Sequence, residues 1–288
     1  MWALAAVFAL LAAMAALGFG ANRSGSATAG EAAAAMGEAR EASLTVDVPP
    51  PVTTRIYSAP GAAGRPIVVI DAGHGGRDPG ATSVSGEVNE KALTLTLSRE
   101  LRDTLVKRGR VRVALTRDDD RYLTLDERAD LARRVGAALF VSLHTDSAPN
   151  PLARGASVYS LSDVASDAEA ARFAAAQNRD AKGDATQESS VSALLADLAL
   201  RSEMMDSADF AARLVSKSSG RFELRPEPHK FAAFHVLRKA GTAAVLFEAG
   251  YISNADDELL LRSPEHRSAI VLALAQAIEA DIASRSRR

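Results

Sequence analysis

The stretch IVVIDAGHGGRDPGA, residues 67–81, decides the fold: four branched apolar residues are followed at once by an acid, glycines and His74. A short apolar run of this kind is typical of a strand buried on both faces of a parallel sheet. In open parallel sheets, ligands bind beyond the carboxyl ends of the strands. The stretch therefore predicts a central strand with His74 at the edge where ligands bind.

Short apolar runs alternate with longer amphipathic segments from residue 65 onward. This alternation predicts an α/β fold, a mainly parallel (mixed) sheet of about six strands flanked by helices. The predicted strands are 67–70, 111–116, 138–143, 156–161, 232–237 and 243–247, and the predicted helices are 89–107, 124–135, 166–178, 190–201, 207–218 and 264–284. Residues 162–228 place two or three helices between two strands, where a crossover needs only about a dozen residues. We interpret residues 162–228 as a helical insertion near the edge of the sheet where ligands bind.

Three segments with different compositions follow one another along the chain. Residues 1–20 are apolar without exception, long enough as a helix to span the roughly 30 Å of a bilayer core, and are predicted to be a signal peptide or a membrane anchor. Residues 21–64 are rich in Ala, Gly, Ser and Pro and are predicted to be a flexible linker. Residues 65–288 form the predicted catalytic domain. Any membrane contact is therefore expected only through residues 1–20.

Charge and cysteine content narrow the function classes. A formal net charge of -2 indicates no partnership with nucleic acid. The chain has 0 cysteines, which excludes thiol catalysis and cysteine-ligated zinc. Any metal must therefore be held by histidines and carboxylates.

Four residues are expected to converge at one edge of the sheet. His74, His144 and Glu248 each follow a predicted strand, and Glu90 begins a predicted helix after Asn89. Two imidazoles and a carboxylate can hold Zn²⁺ with a coordination position left for water, which is the arrangement of a catalytic zinc site. The fourth residue would then handle protons.

The position of Glu90 is the most informative of the four. It lies on the same helical stripe as four leucines at positions 93, 97, 101 and 105, which is the buried face. A buried carboxylate needs a partner, and a metal ion is one. The competing Glu87 lies in a glycine-containing loop and is easier to leave in water. Asp71 and Asp78 are each candidates to accept the second N–H of a ligating histidine.

The four stretches, together with LTLDERADLA at 123–132, resemble the zinc-dependent N-acetylmuramoyl-L-alanine amidases, peptidoglycan hydrolases of bacterial cell division. The resemblance covers residues 65 to 284. It implies that His74, Glu90 and His144 bind one zinc ion and that Glu248 is the catalytic acid/base. It further implies that an exported protein of the periplasm or cell envelope cleaves peptidoglycan between N-acetylmuramic acid and L-alanine during wall remodelling and daughter-cell separation.

The resemblance also implies regulation. In some relatives an inserted helix plugs the site until a LytM-like activator protein displaces it, and residues 162–228 are similar to that element. Glu169 or Glu188 is then the expected autoinhibitory residue, with an ordinary helix residue as the alternative for either. The apolar face expected to receive the activator comprises Val191, Leu194, Leu195 and Leu198.

Two other functions remain open from the sequence. The same metal chemistry would serve a zinc peptidase or deacetylase that acts on another amide. A wall-binding scaffold without turnover is the non-enzymatic alternative, although all four chemical positions are occupied by the expected residue types.

Overall fold

The computed structural model describes residues 54–181 and 191–287. Within them a seven-stranded sheet has the order β1-β3-β2-β4-β7-β5-β6. The strands are β1 (Ile56–Tyr57), β2 (Ile67–Ala72), β3 (Arg112–Leu115), β4 (Ala137–His144), β5 (Ala156–Leu161), β6 (Leu224–Ala232) and β7 (Ala244–Glu248). The helices are α1 (Glu90–Arg108), α2 (Leu125–Arg134), α3 (Ala168–Gln177), α4 (Val191–Ser218), α5 (His235–Lys239), α6 (Ala255–Arg262) and α7 (Pro264–Arg285).

The pairing confirms a mixed, mainly parallel sheet. β3, β2, β4 and β7 are parallel neighbours, so their carboxyl ends meet at one edge. β5 pairs with β7 in the antiparallel sense and with β6 in the parallel sense, and β1 is antiparallel to β3. β1 lies within residues 21–64, so the sheet begins inside the segment that is predicted to be a linker. The division of the chain into domains stays a prediction.

Helices cover both faces of the sheet. One apolar cluster joins the leucines of α1 with residues of α4 and α7, and the other joins α2, α3 and α5. The central strands β2 and β7 are buried along their whole length, because a strand with helices on both faces has no solvated side. Each of these strands is hydrogen-bonded to a neighbour on both sides, so its last residue is held in a fixed position.

The predicted strand 232–237 is wrong. β6 ends at Ala232, and His235–Lys239 forms a short helix after Phe234. The true strand, LRPEPHKFA, was missed because Pro226 and Pro228 cannot donate to a sheet ladder. It is compatible with a sheet because β6 is an outer strand that pairs only with β5.

The insertion 162–228 is more integrated than the sequence indicates. The two helices predicted at 190–201 and 207–218 form the single helix α4. Phe210, Ala211 and Leu214 in its second half are fully or almost fully buried in the core, whereas Leu194, Leu195 and Leu198 in its first half are exposed.

No helix in 54–181 or 191–287 has both the length and the apolarity to cross a membrane. The predicted signal peptide or anchor, residues 1–20, lies outside the described residues, as does Glu188.

Candidate metal centre

Two of the four predicted residues are the last residues of neighbouring strands. His144 ends β4 and Glu248 ends β7, and the two are directly paired in the register of the parallel ladder. Both side chains are buried, with 5% and 1% of their surface exposed. The sheet alone therefore brings an imidazole and a carboxyl group to one point of its edge.

Glu90 reaches this edge from the first position of α1 and is fully buried. Its Oε1 lies 3.0 Å from Nδ1 of His144 and accepts a hydrogen bond from the backbone of Thr145, while its Oε2 lies 3.1 Å from Nε2 of His74. Asn89 precedes the helix without a side-chain cap; the amides of Glu90 and Lys91 instead donate to carbonyls of the loop 79–81. The same loop also positions the carboxylate of Glu90, because the amide of Ala81 donates a hydrogen bond to its Oε2.

His74 is held in an unusual backbone conformation. Its φ of 61° is the only positive value of a non-glycine residue within 54–181 and 191–287, and such a conformation costs about 1–3 kcal/mol. Nδ1 of its ring lies 2.8 Å from Oδ2 of Asp78, which directs Nε2 toward Glu90. Nε2 is buried and makes no hydrogen bond, so one ligand-type nitrogen is left unsatisfied at the centre of the group.

Two glycines leave the space that the group needs. A Cβ atom at Gly73 would lie 2.5 Å from the ring of His144, and one at Gly80 would lie 2.6 Å from Oε2 of Glu90. Gly80 also has a φ of 66°, which other residues rarely adopt. These positions therefore require glycine for the loop to close over the imidazoles and the carboxylate.

His74, Glu90 and His144 fit a divalent metal. One ligand atom of each lies within 4.8 Å of the others, and the donor set is of the His/carboxylate type that zinc accepts. Burial by itself lowers the pKa of His74, but the Glu90 and Asp78 carboxylates outweigh it and raise that pKa to about 10. Burial raises the pKa of Glu90, but His74 and His144 hold it well below its ordinary value. A cation is thus favoured at this point.

Two buried arginines fix the loop that carries His74. Arg128 donates to the carbonyls of Ala72 and His74, each at 2.7 Å, and Arg117 donates to the carbonyl of Gly73 at 2.8 Å. Arg117 also donates to the carbonyl of Lys91 on α1, so the histidine loop and the helix of Glu90 share one guanidinium. Burial and the neighbouring Arg128 lower the pKa of Arg117 to about 10.

Asp71 is part of this support and not a partner of a histidine. Its carboxylate binds Arg128 at 2.7 Å and accepts hydrogen bonds from Thr116 and Ser142. The structure thus separates the two candidates that the sequence left open: Asp78 contacts His74, and Asp71 balances the charge of a buried arginine. Burial raises the pKa of Asp71, but Arg128 and the two hydroxyls lower it overall.

Glu248 differs from Glu90 in its surroundings. Its Oε2 accepts a hydrogen bond from the backbone of Asp146 at 3.0 Å, and its Oε1 is buried without a partner. Burial, with the nearby Asp146 and Glu90 carboxylates, raises the pKa of Glu248 well above its ordinary value. A raised pKa makes a carboxylate a stronger base than an exposed one.

Besides a small cavity of about 50 Å³ that both His74 and His144 line, two larger cavities open onto the group. The first, here the histidine-side cavity, has a volume of about 550 Å³ and is lined by His74, Arg77, Asp78, Tyr122, Arg179 and Asp180 among others. The second, the glutamate-side cavity, has a volume of about 200 Å³ and is lined by Tyr159, Glu169, Arg172, Phe173, Glu248 and Tyr251 among others. They share Asp146, Ser147 and Ala176, so a ligand can occupy both at once.

The other sequence candidates have ordinary partners. Glu169 lines the glutamate-side cavity but pairs with Arg225 at 2.9 Å, and it lies outside the three-residue metal group. Glu87 is exposed and pairs with Arg262. Sequence reasoning missed Arg117 and Arg128; the apolar positions around Arg128 in the stretch 123–132 were the available signal, since an arginine on the buried face of α2 needs a partner.

The fold and the site define a class: an α/β protein with a buried His–Glu–His group whose geometry fits a divalent metal, and a buried glutamate beside it. A profile of the family described as N-acetylmuramoyl-L-alanine amidase matches residues 68–280, which is more than half of the chain. The chain belongs to this family.

Individual relatives agree with the family match. The chain is 30% identical over 234 residues to N-acetylmuramoyl-L-alanine amidase AmiA of Escherichia coli strain K12, a match that covers 78% of this chain and 80% of that one. It is 33% identical over 220 residues to N-acetylmuramoyl-L-alanine amidase AmiC of Neisseria meningitidis, covering 75% of this chain and 52% of that one.

A solved structure gives the same picture. The catalytic domain of CwlV, an N-acetylmuramoyl-L-alanine amidase from Bacillus (Paenibacillus) polymyxa var. colistinus, is similar to this chain with a TM-score of 0.51 and 27% identity. The match covers 74% of this chain and 96% of that domain. The resemblance stated from the sequence is therefore confirmed at the level of family and fold.

Proposed function

We propose that the protein hydrolyses the amide bond between N-acetylmuramic acid and L-alanine in peptidoglycan. The observation that carries this proposal is the placement of Glu248 beside His144 in the strand register, with His74 and Glu90 closing the group. Family membership supports peptidoglycan as the substrate. A role in wall remodelling and daughter-cell separation, in the periplasm or cell envelope after export, follows as part of the same proposal.

We propose Zn²⁺ as the metal, held by His74, Glu90 and His144. Zinc bound there would supply a water with its pKa lowered to about 7 and would polarise the substrate carbonyl. Asp78 keeps Nε2 of His74 directed at the ion, and Arg128 and Arg117 hold the loop and the helix that carry His74 and Glu90.

We propose that Glu248 moves the proton. Its free Oε1 would accept the proton of the attacking water and return it to the nitrogen of the leaving amine as the C–N bond breaks. The products are a glycan with a free lactyl carboxylate and a stem peptide with a new L-alanine amino terminus. The raised pKa of Glu248 favours this role, because a more basic carboxylate accepts the proton of the attacking water more readily than an ordinary one.

Murein digestion tests the reaction. Purified peptidoglycan incubated with the zinc-loaded full chain is expected to release stem peptides that begin with L-alanine. Glu248→Ala is expected to lower the rate by about 10²–10⁴-fold while zinc binding, measured by elemental analysis, is retained. Release of acetate, or of peptides cut elsewhere, would favour a deacetylase or a peptidase, and an unchanged rate in Glu248→Ala would contradict the assigned role.

We further infer that the insertion regulates the site and that a LytM-like activator is the partner. Leu194, Leu195 and Leu198 are 55–61% exposed on one half of α4, an apolar surface suited to a protein partner. The end of α3 lines the histidine-side cavity through Gln177, close to the metal group. Glu169, which lines the other cavity, remains the autoinhibitory candidate within the described residues.

Point variants test this regulation better than deletion, because the second half of α4 belongs to the core. Glu169→Ala and Glu188→Ala are each expected to raise basal hydrolysis of peptidoglycan if the replaced residue blocks the site. Unchanged basal activity in both variants would remove the proposed autoinhibitory role of these glutamates.

A further inference from the structure

The two cavities meet the reacting groups from different sides. The histidine-side cavity is lined by His74 and not by Glu248, whereas the glutamate-side cavity is lined by Glu248 and by neither histidine. Asp146, Ser147 and Ala176 form their common border. A substrate that spans this border therefore has one part in each of the two larger cavities.

Proton transfer decides which part lies where. On the proposed mechanism Glu248 returns a proton to the leaving amine, and a general acid must lie within hydrogen-bond reach of the atom that it protonates. The leaving amine belongs to L-alanine, the first residue of the stem peptide. The peptide part must therefore extend into the glutamate-side cavity, and the glycan part into the histidine-side cavity.

The linings agree with this orientation independently. The glutamate-side cavity is the smaller, at about 200 Å³, and carries the aromatic rings of Tyr159, Phe173 and Tyr251, which suit the methyl group and backbone of alanine. The histidine-side cavity is the larger, at about 550 Å³, and its lining includes the polar side chains of Arg77 and Asp180, which suit the hydroxyl and amide groups of a sugar.

One cation on the peptide side has no ion-pair partner within the part of the chain that the structure describes. Glu169 and Arg225 neutralise each other at 2.9 Å, and Arg225 also lies over the ring of Tyr251, 5.1 Å from its centre. Arg172 is exposed, lines the glutamate-side cavity, and takes part in none of the ion pairs within residues 54–181 and 191–287. It is therefore available to a ligand anion.

We propose that Arg172 is a specificity-determining residue that binds a free carboxylate on the residue following L-alanine in the stem peptide. The inference rests on the proposed amidase function and adds an orientation and a substrate preference to it. The guanidinium suits this role because it can bind a carboxylate through two parallel hydrogen bonds.

A pair of substrates tests the proposal. Two synthetic muramoyl peptides are compared, one with a free carboxylate at the second stem residue and one with a carboxamide there. The zinc-loaded full chain is expected to cleave the acid with a roughly five- to tenfold higher kcat/KM than the amide, as expected for one charged contact at a partly solvated site. Arg172→Ala is expected to lower kcat/KM for the acid to the value for the amide, with Arg172→Lys between the two.

Arg179→Ala is the matched control. It removes an arginine of the same charge that lines the histidine-side cavity and not the glutamate-side cavity. This variant is expected to keep the preference for the acid substrate. Calorimetry gives a second readout that needs no turnover. It measures the binding of the free acid and amide stem peptides to the Glu248→Ala protein.

The outcomes separate cleanly. An equal loss for both substrates in Arg172→Ala, or loss of the preference in Arg179→Ala instead, would overturn the inference while leaving the amidase function intact. Failure of the unsubstituted protein to cleave either substrate, while it is shown to bind zinc, would overturn the proposed function and the inference with it.

Discussion

The loop 71–81 and the first half of α4 differ in which side chains they bury. Charged side chains are buried around the loop, whereas apolar side chains are exposed on the helix. Around the loop, charged groups that normally lie in water are buried: Asp71, Arg117 and Arg128 are each no more than 3% exposed. On α4, Leu194, Leu195 and Leu198 are more than half exposed. Buried polar groups and exposed apolar patches are the informative exceptions in a globular protein. The comparison teaches that the chemistry and the proposed partner surface occupy different regions, one rigidly supported and the other open.

Glu90→Ala should have the largest effect on the buried region. Removing the carboxylate takes away the group that most raises the pKa of His74 and the acceptor of the Ala81 and Thr145 amides, and breaking such a buried pair costs about 3–5 kcal/mol. We expect that loss in the free energy of unfolding of the metal-free protein at neutral pH, measured by urea denaturation. Glu87→Ala, which removes an exposed partner of Arg262, is the control and should change it by less than about 1 kcal/mol. Equal effects of the two would contradict the structural role of Glu90.

Arg128→Met should come next. The variant leaves the buried Asp71 carboxylate without its ion pair and the carbonyls of Ala72 and His74 without a donor, so we expect a destabilisation of about 3 kcal/mol. Zinc affinity, measured by competition with a chromogenic chelator, should fall as well, because His74 loses the contact that holds its backbone. Arg99→Met removes an exposed arginine paired with Asp118 and should leave both quantities nearly unchanged. A destabilised variant with unchanged zinc affinity would show that Arg128 supports the core but not the site.

The pH dependence of metal binding is the third expectation. With a pKa of about 10, His74 carries a proton in the metal-free protein at all lower pH values, and zinc must displace it. The apparent affinity should therefore rise by about tenfold per pH unit between about pH 6 and 8, and the slope should level off only above the pKa. Calorimetry in two buffers of different ionisation enthalpy counts the protons released. A flat affinity over this range would contradict the protonated state of His74.

The smallest effect is expected on the exposed region. Leu198→Ser removes a side chain that is 55% exposed, so the free energy of unfolding should change by less than about 0.5 kcal/mol. Leu97→Ala, at a leucine that is 1% exposed on α1, should cost about 2–5 kcal/mol in the same thermal or urea unfolding experiment. A large loss in Leu198→Ser would show that this face of α4 is covered within the protein and is not a partner surface.

Much of the fold could be predicted from the sequence where the apolar pattern is uninterrupted. β2, β4, β7 and α1 fall within a few residues of their predicted bounds, because strands buried on both faces are continuous apolar runs and α1 carries its leucines at helical spacing. β6 could not be predicted because its two prolines argue against a strand. The short helix α5 lies in a predicted strand because a short apolar run has no period that distinguishes a helix from a strand. The merging of two predicted helices into α4 depends on tertiary packing at Phe210 and Leu214.

The candidate site likewise contains residues that could be placed from the sequence and residues that could not. His144 and Glu248 could be placed because strand ends in a parallel sheet coincide, and the geometry bears out their proximity. Asp71 and Asp78 could not be told apart, because both lie within four residues of His74 and only the three-dimensional path of the loop decides which one contacts the ring. Arg117 contacts the carbonyls of Gly73 and Lys91, which lie 44 and 26 positions away in the sequence. No local sequence pattern predicts contacts over such separations.

The two edges of the sheet carry one last consequence. β1 contains two residues, and β6 contains Pro226 and Pro228, so neither border offers a long row of amide groups to another polypeptide. Short edge strands and edge prolines are devices that block unwanted strand-to-strand pairing between molecules. Within the described residues, both edges of the sheet therefore disfavour strand-to-strand pairing with a second molecule, and contacts through side chains are favoured instead.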